Sequence, residues 1–298
     1  MTELPSVWLS GQRDIATQLA VGGYGPATAQ DDAAIPPAIA ARAVGQYTRP
    51  GDVVFDPDCG AGTVLAEAMR VGRHAVGATT DPRWWPIARA NVTRAKRAGA
   101  AVDGTVLDAG PHSPGTAQLD LFAGRVQLVV VNVRNLGIAR RRRGAVLVSA
   151  AVSEAAVAAR LTRLLRWCRP LLRPTGCLAI TTAPYWCGGE LLDLPGAVVR
   201  AGRIAGFRQA VSVLALTAEL RTEQLIAHTP LAQRRAAAAQ ARATGRPVSL
   251  TAHRDVVIFA APQASADAQM LQSPLSPMDF DRCAIPWDPI NSGGARAA

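Results

Sequence analysis

Residues 53–65 have the sequence Val53-Val54-Phe55-Asp56-Pro57-Asp58-Cys59-Gly60-Ala61-Gly62-Thr63-Val64-Leu65. The β-branched and aromatic run at its start is typical of a buried strand, and the residues from Thr63 onward have the pattern of a helix. Between them, Gly60 and Gly62 permit backbone angles and close approaches that a Cβ would prevent. The first turn of a helix also has N–H groups without intrahelical partners, which a polar ligand can use. This strand, turn and helix predict a doubly wound α/β sheet that holds a nucleotide-like cofactor at the turn.

The residues of the turn also indicate which cofactor it binds. The turn lacks G-x-G-x-x-G and Gly-Lys-Ser/Thr patterns, so dinucleotide and triphosphate binding are disfavoured. Asp56 places a carboxylate at the end of the strand, where it can pair with an α-amino group. The zwitterionic methionine part of S-adenosylmethionine therefore suits this turn better than a polyanion does.

Several segments spread over residues 5–260 carry the pattern of one protein family. They are residues 36–37 with 47–52, 56–63, 72–77 with 81–84, 171–178 and 253–259. These segments resemble the DNA amino-methyltransferases, enzymes that methylate adenine N6 or cytosine N4. The resemblance implies an α/β, Rossmann-like S-adenosylmethionine-dependent methyltransferase fold with a doubly wound, mostly parallel seven-stranded sheet. It also implies S-adenosylmethionine as the cofactor.

The alternation of apolar patterns along the chain agrees with this fold class. Strands are predicted at 52–55, 75–78, 102–106, 126–131, 177–182, 210–216 and 255–259. Helices are predicted at 35–46, 63–70, 86–98 and 152–168.

The length and composition predict one large domain with extensions. The chain has 298 residues, of which 49% are hydrophobic, enough for a sizeable core. We expect a methyltransferase-like domain at 1–261, with an N-terminal extension at 1–30 and a polar insertion at 222–247. That insertion is either a helix and loop that contact DNA or a solvated insertion. Residues 262–298 form a tail rich in Pro, Ser and Ala.

Neither a membrane nor an oxidising compartment is indicated. The sequence has no apolar run of spanning length and no basic-then-apolar start, so a cytoplasmic protein is predicted. Its five cysteines lack paired C-x-x-C spacing, which favours buried thiols over a disulfide framework or a metal site.

The charge of the chain favours a polyanionic partner. The net charge is +10 and the isoelectric point is about 10.5. Each Lys or Arg placed on a phosphate releases counterions, so nucleic acid, and DNA first, is the expected partner. A high-GC genome also produces an Arg-rich, Lys-poor composition. The densest run, Arg140-Arg141-Arg142-Arg143, is predicted to be either a phosphate-binding loop beside the active site or a solvated loop.

The resemblance assigns cofactor contacts to individual positions. The acid that binds the ribose hydroxyls would stand at Thr79, and the nearest carboxylate is Asp81, two residues later. Asp108, at the end of the third strand, is similar to the acid that contacts adenine, with a cap or turn as the alternative role. The full predicted set of cofactor contacts is Asp56, Pro57, Cys59, Gly60, Gly62, Thr63, Thr79, Asp81 and Asp108.

The catalytic position departs from the family pattern. The family has Asp/Asn/Ser-Pro-Pro-Tyr/Phe after the fourth strand, where the polar group accepts from the target amine and the ring stacks on the flipped base. This chain has Asn132-Val133-Arg134-Asn135, so only Asn132 matches. Upstream, where the family often has His-Pro-Ala-Lys, the chain has Asp31-Asp32-Ala33-Ala34.

A base could still stack on Tyr185 or Trp186, which follow a predicted strand, although packing under a loop explains these rings equally well. Arg134 joins Arg140 to Arg143 and these two aromatics as predicted nucleic-acid contacts.

Two functions follow from these patterns. The first is methylation of an exocyclic amine of a nucleic-acid base, with Asn132 orienting the amine. The second is a catalytically decayed methyltransferase-like protein that binds cofactor or nucleic acid in a regulatory or partner role. A homodimer or a partner subunit is compatible with both.

Overall fold

The computed structural model describes residues 5–111, 118–133, 140–142, 145–147, 153–187, 190–229, 231–245 and 247–261. Its strands are β1 (Val7–Trp8), β2 (Val53–Asp56), β3 (His74–Ala78), β4 (Gly104–Leu107), β5 (Val126–Asn132), β6 (Arg140–Arg142), β7 (Ala145–Leu147), β8 (Leu172–Thr182), β9 (Trp186–Cys187), β10 (Glu190–Leu191), β11 (Arg208–Leu216), β12 (Ala218–Arg221), β13 (Gln224–Ala227) and β14 (His253–Ala260). Its α-helices are α1 (Ile15–Val21), α2 (Pro37–Tyr47), α3 (Thr63–Arg70), α4 (Trp84–Arg97), α5 (Glu154–Cys168), α6 (Leu194–Ile204) and α7 (Leu231–Thr244).

Eight strands form the central sheet, in the order β1-β11-β14-β8-β5-β2-β3-β4. Neighbouring strands are parallel except around β14, which is antiparallel to both β8 and β11. The predicted α/β, mostly parallel sheet is therefore confirmed. The eighth strand is the two-residue β1, which pairs with β11 at one edge through Val7 and Trp8. Because that pairing joins residues about 200 positions apart, local sequence patterns did not predict it.

The winding of the sheet reverses between two central strands. From β2 the chain moves outward to β3 and β4, and then it returns to β5 on the other side of β2. In doubly wound sheets the ligand binds beside the carboxyl ends of the strands at such a reversal. The residues at those two ends are Asp56, the last of β2, and Asn132, the last of β5.

Helices cover both faces of the sheet, so the central strands are largely apolar. Every residue of β5 is buried. Val129 and Val131 point into one core with α5 and α6. Leu128 and Val130 point into the other core with α2, α3 and α4. This alternation follows from the period of two along a strand.

Two helices, α1 and α6, were not predicted. The signals for α6 are nevertheless present, because Asp193 accepts a hydrogen bond from Gly196 N at its start and a proline occupies its first turn. In the polar insertion the structure has part of the hairpin β12–β13 followed by α7. Within the described part of the chain, no helix is both long enough and apolar enough to span a bilayer.

Candidate cofactor and catalytic site

The turn after β2 is fixed at both of its ends. Asp56 is 6% exposed, and its Oδ1 accepts a hydrogen bond from Asp58 N at 3.1 Å. Cys59 N donates to the Ala78 carbonyl at 2.9 Å, which joins the turn to the end of β3. Gly60 and Gly62 have φ angles of 48° and 79°, in the left-handed region that glycine tolerates best. Helix α3 then begins at Thr63, as the sequence predicted.

The two glycines admit two different neighbours. A Cβ built on Gly62 would lie 3.0 Å from Ala88 Cα, so this glycine lets α4 pack closely against the turn. A Cβ built on Gly60 would lie 2.2 Å from Asp31 Oδ2. The sequence predicts that both glycines make room for a ligand. In the structure, α4 packs against Gly62, and the carboxylate of Asp31 lies against Gly60.

Residues 31–34, which we call the strap, lie against both the turn and the catalytic position. Asp31 Oδ2 accepts a hydrogen bond from Ala61 N at 2.8 Å. The Asn132 amide Nδ2 donates to the Ala33 carbonyl, and Thr181 Oγ1 lies 3.4 Å from Asn132 Oδ1 as a donor. The strap stands where the family often has His-Pro-Ala-Lys. The sequence pattern shows that difference but does not predict these contacts. The local signal was an acidic pair, Asp31-Asp32, three residues before the two prolines at the start of α2.

A small polar hollow lies between the strap, the turn and the end of β5. It has a volume of about 240 Å³, including space open to solvent, and it is lined by Asp31, Ala34, Ile35, Asp56, Asp58, Cys59, Thr63, Val64 and Asn132. Among the described residues that line it, three side chains are carboxylates and none is basic. The hollow therefore attracts a cationic group.

Burial and mutual repulsion act on these carboxylates. Burial raises the pKa of the Asp56 carboxyl well above its ordinary value, and the charges of Asp58 and Asp31 add to the effect. Burial also raises the pKa of Asp31, although the N–H group of Ala61 acts in the opposite direction. A bound cation would relieve both effects, because it stabilises the ionised carboxylates.

The polar groups of the hollow match the amino-acid end of S-adenosylmethionine. Asp56 can accept from an ammonium group, and Ala61 N–H is of the kind that binds carboxylates at a helix start. Thr63 Oγ1 is buried and has no hydrogen-bond partner among the described residues, so it is available to a ligand. The chemistry of the hollow therefore fits the amino-acid end of the cofactor.

The other predicted cofactor residues have roles of their own. Pro57 is buried in the turn, and the Cys59 thiol would lie only 2.9 Å from a Cβ on Gly77, so it packs beneath the turn. Burial raises the pKa of that thiol well above its ordinary value, which keeps it protonated.

The predicted ribose and adenine contacts lie at the carboxyl ends of β3 and β4. Thr79 is buried, and its Oγ1 accepts from Asp81 N at 3.2 Å. Asp81 pairs with the Arg83 guanidinium at 2.5 Å and accepts from Arg83 N before α4 begins. Asp108 is exposed just after β4. These three residues share the sheet edge with the hollow but do not line it.

The predicted nucleic-acid contacts are only partly within the described residues. Arg134 and Arg143 lie outside them. Arg140, Arg141 and Arg142 form β6, which pairs antiparallel with β7, so the prediction of a loop was wrong for these three. Tyr185 is half-buried and packs against the core beside α5 and α6, and Trp186 opens the short strand β9.

Known proteins resemble this chain in sequence and in architecture. A family model described as DNA methylase matches residues 10–89. Among solved structures, the chain is similar to geranyl diphosphate methyltransferase in complex with SAM, at 15% identity and a TM-score of 0.48, covering 85% of this chain and 97% of that one. It is also similar to geranyl diphosphate C-methyltransferase from Streptomyces coelicolor A3(2) in complex with S-adenosyl-L-homocysteine (14% identity, TM-score 0.47, 76% of each chain). A third is precorrin-6y C5,15-methyltransferase from Geobacter metallireducens GS-15 (12% identity, TM-score 0.45, 77% of this chain and 90% of that one).

The substrates in those titles belong to the solved proteins. The family match covers α1, α2, the glycine turn and most of the residues around the hollow. Over residues 10–89 the chain therefore matches the DNA methylase family model, which confirms the predicted resemblance to the DNA amino-methyltransferases.

Proposed function

We propose that this protein transfers a methyl group from S-adenosylmethionine to an exocyclic amine of a nucleic-acid base, with DNA as the expected target. The observation that carries the proposal is that Asp56 and Asn132 line one hollow where the winding of the sheet reverses. When bound, the cofactor supplies an electrophilic methyl group. Asp56 would hold its ammonium group, and Thr63 and Ala61 N–H would bind its carboxylate.

Asn132 is placed to orient the amine that receives the methyl group. It is 6% exposed, and it pairs in register with Thr181 of β8, which holds the amide in position. Its Oδ1 accepts from the Thr181 hydroxyl at 3.4 Å. An amide oxygen is also the kind of acceptor that an N–H of the target amine needs, and a hydrogen bond between them would direct the nitrogen lone pair toward the methyl group.

A basic helix next to the site supports a nucleic-acid substrate over a small molecule. Helix α4 carries Arg89, Arg94, Lys96 and Arg97 and has no acidic residue. Its first turn lies at the same sheet edge as the hollow, and Trp85 there is 38% exposed with the Arg89 guanidinium 4.5 Å from its ring centre. Exposed aromatic rings among arginines are typical of surfaces that bind nucleic-acid strands.

Neutralising two arginines of α4 is expected to weaken DNA binding. The double variant Arg89→Ala, Arg97→Ala removes two phosphate contacts, so the slope of log K against log salt should fall by roughly two. Fluorescence anisotropy with a labelled duplex at several salt concentrations measures this slope. The matched control is Arg163→Ala, Arg166→Ala on α5, which removes the same charge from the opposite face of the sheet. Equal losses in the two variants would contradict a specific role for α4.

A binding protein without catalysis is the second candidate, and one contact favours it. The Asn132 amide is bound to the Ala33 carbonyl, and the two prolines and the ring of the family motif are missing. Isothermal titration with S-adenosylmethionine, together with transfer of a labelled methyl group to mixed DNA and RNA, separates the two functions. Binding without transfer would favour the second candidate. Absence of both, together with absence of DNA binding in the anisotropy measurement, would contradict both candidates.

A further inference from the structure

The strap makes two contacts that compete with the proposed function. The Asp31 carboxylate accepts from Ala61 N, where a carboxylate ligand would bind, and it lies against the bare Cα of Gly60. The Ala33 carbonyl accepts from Asn132 Nδ2, so the strap lies directly against the amide group that would orient an amine. One short segment therefore contacts both halves of the candidate site.

Firm anchors hold the chain on either side of the strap. Before it, Asn91 Nδ2 donates to both Thr28 Oγ1 and the Ala61 carbonyl at 2.8 Å. After it, Ile35 is 4% exposed and packs in the core with α2. These anchors confine any movement to the strap, and they keep it close to the hollow when it moves.

The Asp31 contact is a weak one for a carboxylate. The side chain is largely removed from water, and its charge repels those of Asp32 and of Asp56, which lines the same hollow. The backbone N–H groups of Ala61, Ala33 and Ala34 act in the opposite direction, yet burial outweighs them, so the pKa of Asp31 is raised on balance. The strap can therefore be displaced at modest cost.

We infer that the strap is a built-in competitor of the cofactor: it closes the hollow by placing Asp31 on Ala61 N–H and Ala33 on Asn132, and it must leave before the cofactor binds. This inference rests on the proposed function for the identity of the ligand. The lining of the hollow agrees with it, since Asp31 stands there beside Asp56 and Asn132, the two residues that the proposed function uses.

Replacing Asp31 by alanine is expected to tighten the binding of S-adenosylmethionine by about tenfold, because the open state becomes more populated. Isothermal titration on the full chain measures the two dissociation constants. Asp32→Ala is the matched control, because it removes an exposed neighbouring carboxylate that does not line the hollow. Asp31→Asn keeps an acceptor for Ala61 N–H without the charge, so its affinity should lie between those of the wild type and Asp31→Ala. Weaker binding by Asp31→Ala would overturn the inference, because Asp31 would then be a cofactor ligand.

Hydrogen exchange tests the movement itself. In protein without added cofactor, peptides covering 57–65 should exchange faster in Asp31→Ala than in Asp32→Ala. When the cofactor is added to the wild type, peptides covering 31–36 should exchange faster while those covering 57–65 become protected. Protection of both segments would overturn the inference, since the strap would then close over the ligand.

The two proposals can fail separately. If the wild type binds the cofactor and Asp31→Ala binds it equally well or more weakly, the inference fails and the proposed function stands. If no variant binds the cofactor at millimolar concentration, the proposed function fails. Hydrogen exchange in protein without cofactor then tests whether the strap closes the hollow. Equal exchange rates of peptides covering 57–65 in Asp31→Ala and Asp32→Ala would overturn that closure.

Discussion

Replacing Asn132 by alanine is expected to lower the rate of methyl transfer by about 10²–10³-fold, the range found when one positioned polar group is removed from an active site. The amine would lose its acceptor, so its nitrogen would seldom point toward the methyl group. Cofactor affinity should be unchanged or higher, because the same substitution removes the hydrogen bond to Ala33 that helps to hold the strap. Transfer of a labelled methyl group to DNA, measured alongside titration calorimetry, separates the two effects.

The conservative variant Asn132→Asp sharpens this test. Its carboxylate keeps an acceptor at the same position, so it should retain more activity than the alanine variant. An ionised aspartate cannot donate to the Ala33 carbonyl, so it does not hold the strap in the closed position. The affinity for the cofactor should therefore not fall. Alanine and aspartate variants with the full rate of the wild type would contradict the role given to Asn132. A parallel loss of cofactor binding in the alanine variant would point instead to a damaged hollow.

The second large effect is expected at Asp56. Asp56→Asn should weaken cofactor binding by roughly 30- to 100-fold, because a charge-assisted hydrogen bond to the ammonium group becomes a neutral one. The same change should stabilise the protein without cofactor by about 1–2 kcal/mol at pH 7–8, as is common when a strained functional residue is relieved. Asparagine still accepts from Asp58 N, so the turn itself is kept.

The pH dependence of that stabilisation follows from the raised pKa of Asp56. Its folded-state pKa lies above its unfolded value, so the folded protein binds the proton more tightly. Stability from this group is present below the unfolded pKa of about 3.9 and is lost as the pH rises through the folded pKa. The difference between Asp56→Asn and the wild type should therefore be small near pH 4 and largest above neutrality.

Urea unfolding between pH 4 and pH 8 measures this difference. The control is Asp120→Asn, which removes an exposed carboxylate outside the hollow and should leave stability and cofactor binding unchanged. A destabilised Asp56→Asn protein at pH 8 would show that the carboxylate has a cationic partner without the cofactor. Unchanged cofactor affinity would contradict its role in binding.

The sequence predicted those parts of the fold that depend on local patterns. Helix α3 begins and ends at the predicted residues, because the glycine turn and the apolar spacing after it act over a few positions. The predicted strands of the sheet are present with shifts of a few residues at their ends. The longest extension is at β8, which begins at Leu172 rather than at residue 177. Leu172 pairs with Val126 of β5, and the residues between Leu172 and Cys177 lie at an irregularity in the register.

Local sequence patterns could not predict contacts between residues that are far apart in the chain. The strap was recorded as a departure from the family, yet its contacts join Asp31 to Ala61 and Ala33 to Asn132, 30 and 99 positions apart. Gly62 was assigned to a ligand, whereas the close packing of Ala88 uses its missing Cβ. Arg140 to Arg142 were expected in a loop, and their pairing with β7 makes them a strand.

By itself, then, the sequence determined the α/β class, the glycine turn after β2 and the family that this turn resembles, since these follow from local periodicity and backbone preference. Only the tertiary structure decided that Asp56 and Asn132 share one hollow and that Asp31 also lines it. The physical reason is that the winding of the sheet brings the ends of β2 and β5 together. In the folded chain, Asp31 reaches the space between these ends and accepts a hydrogen bond from Ala61 N.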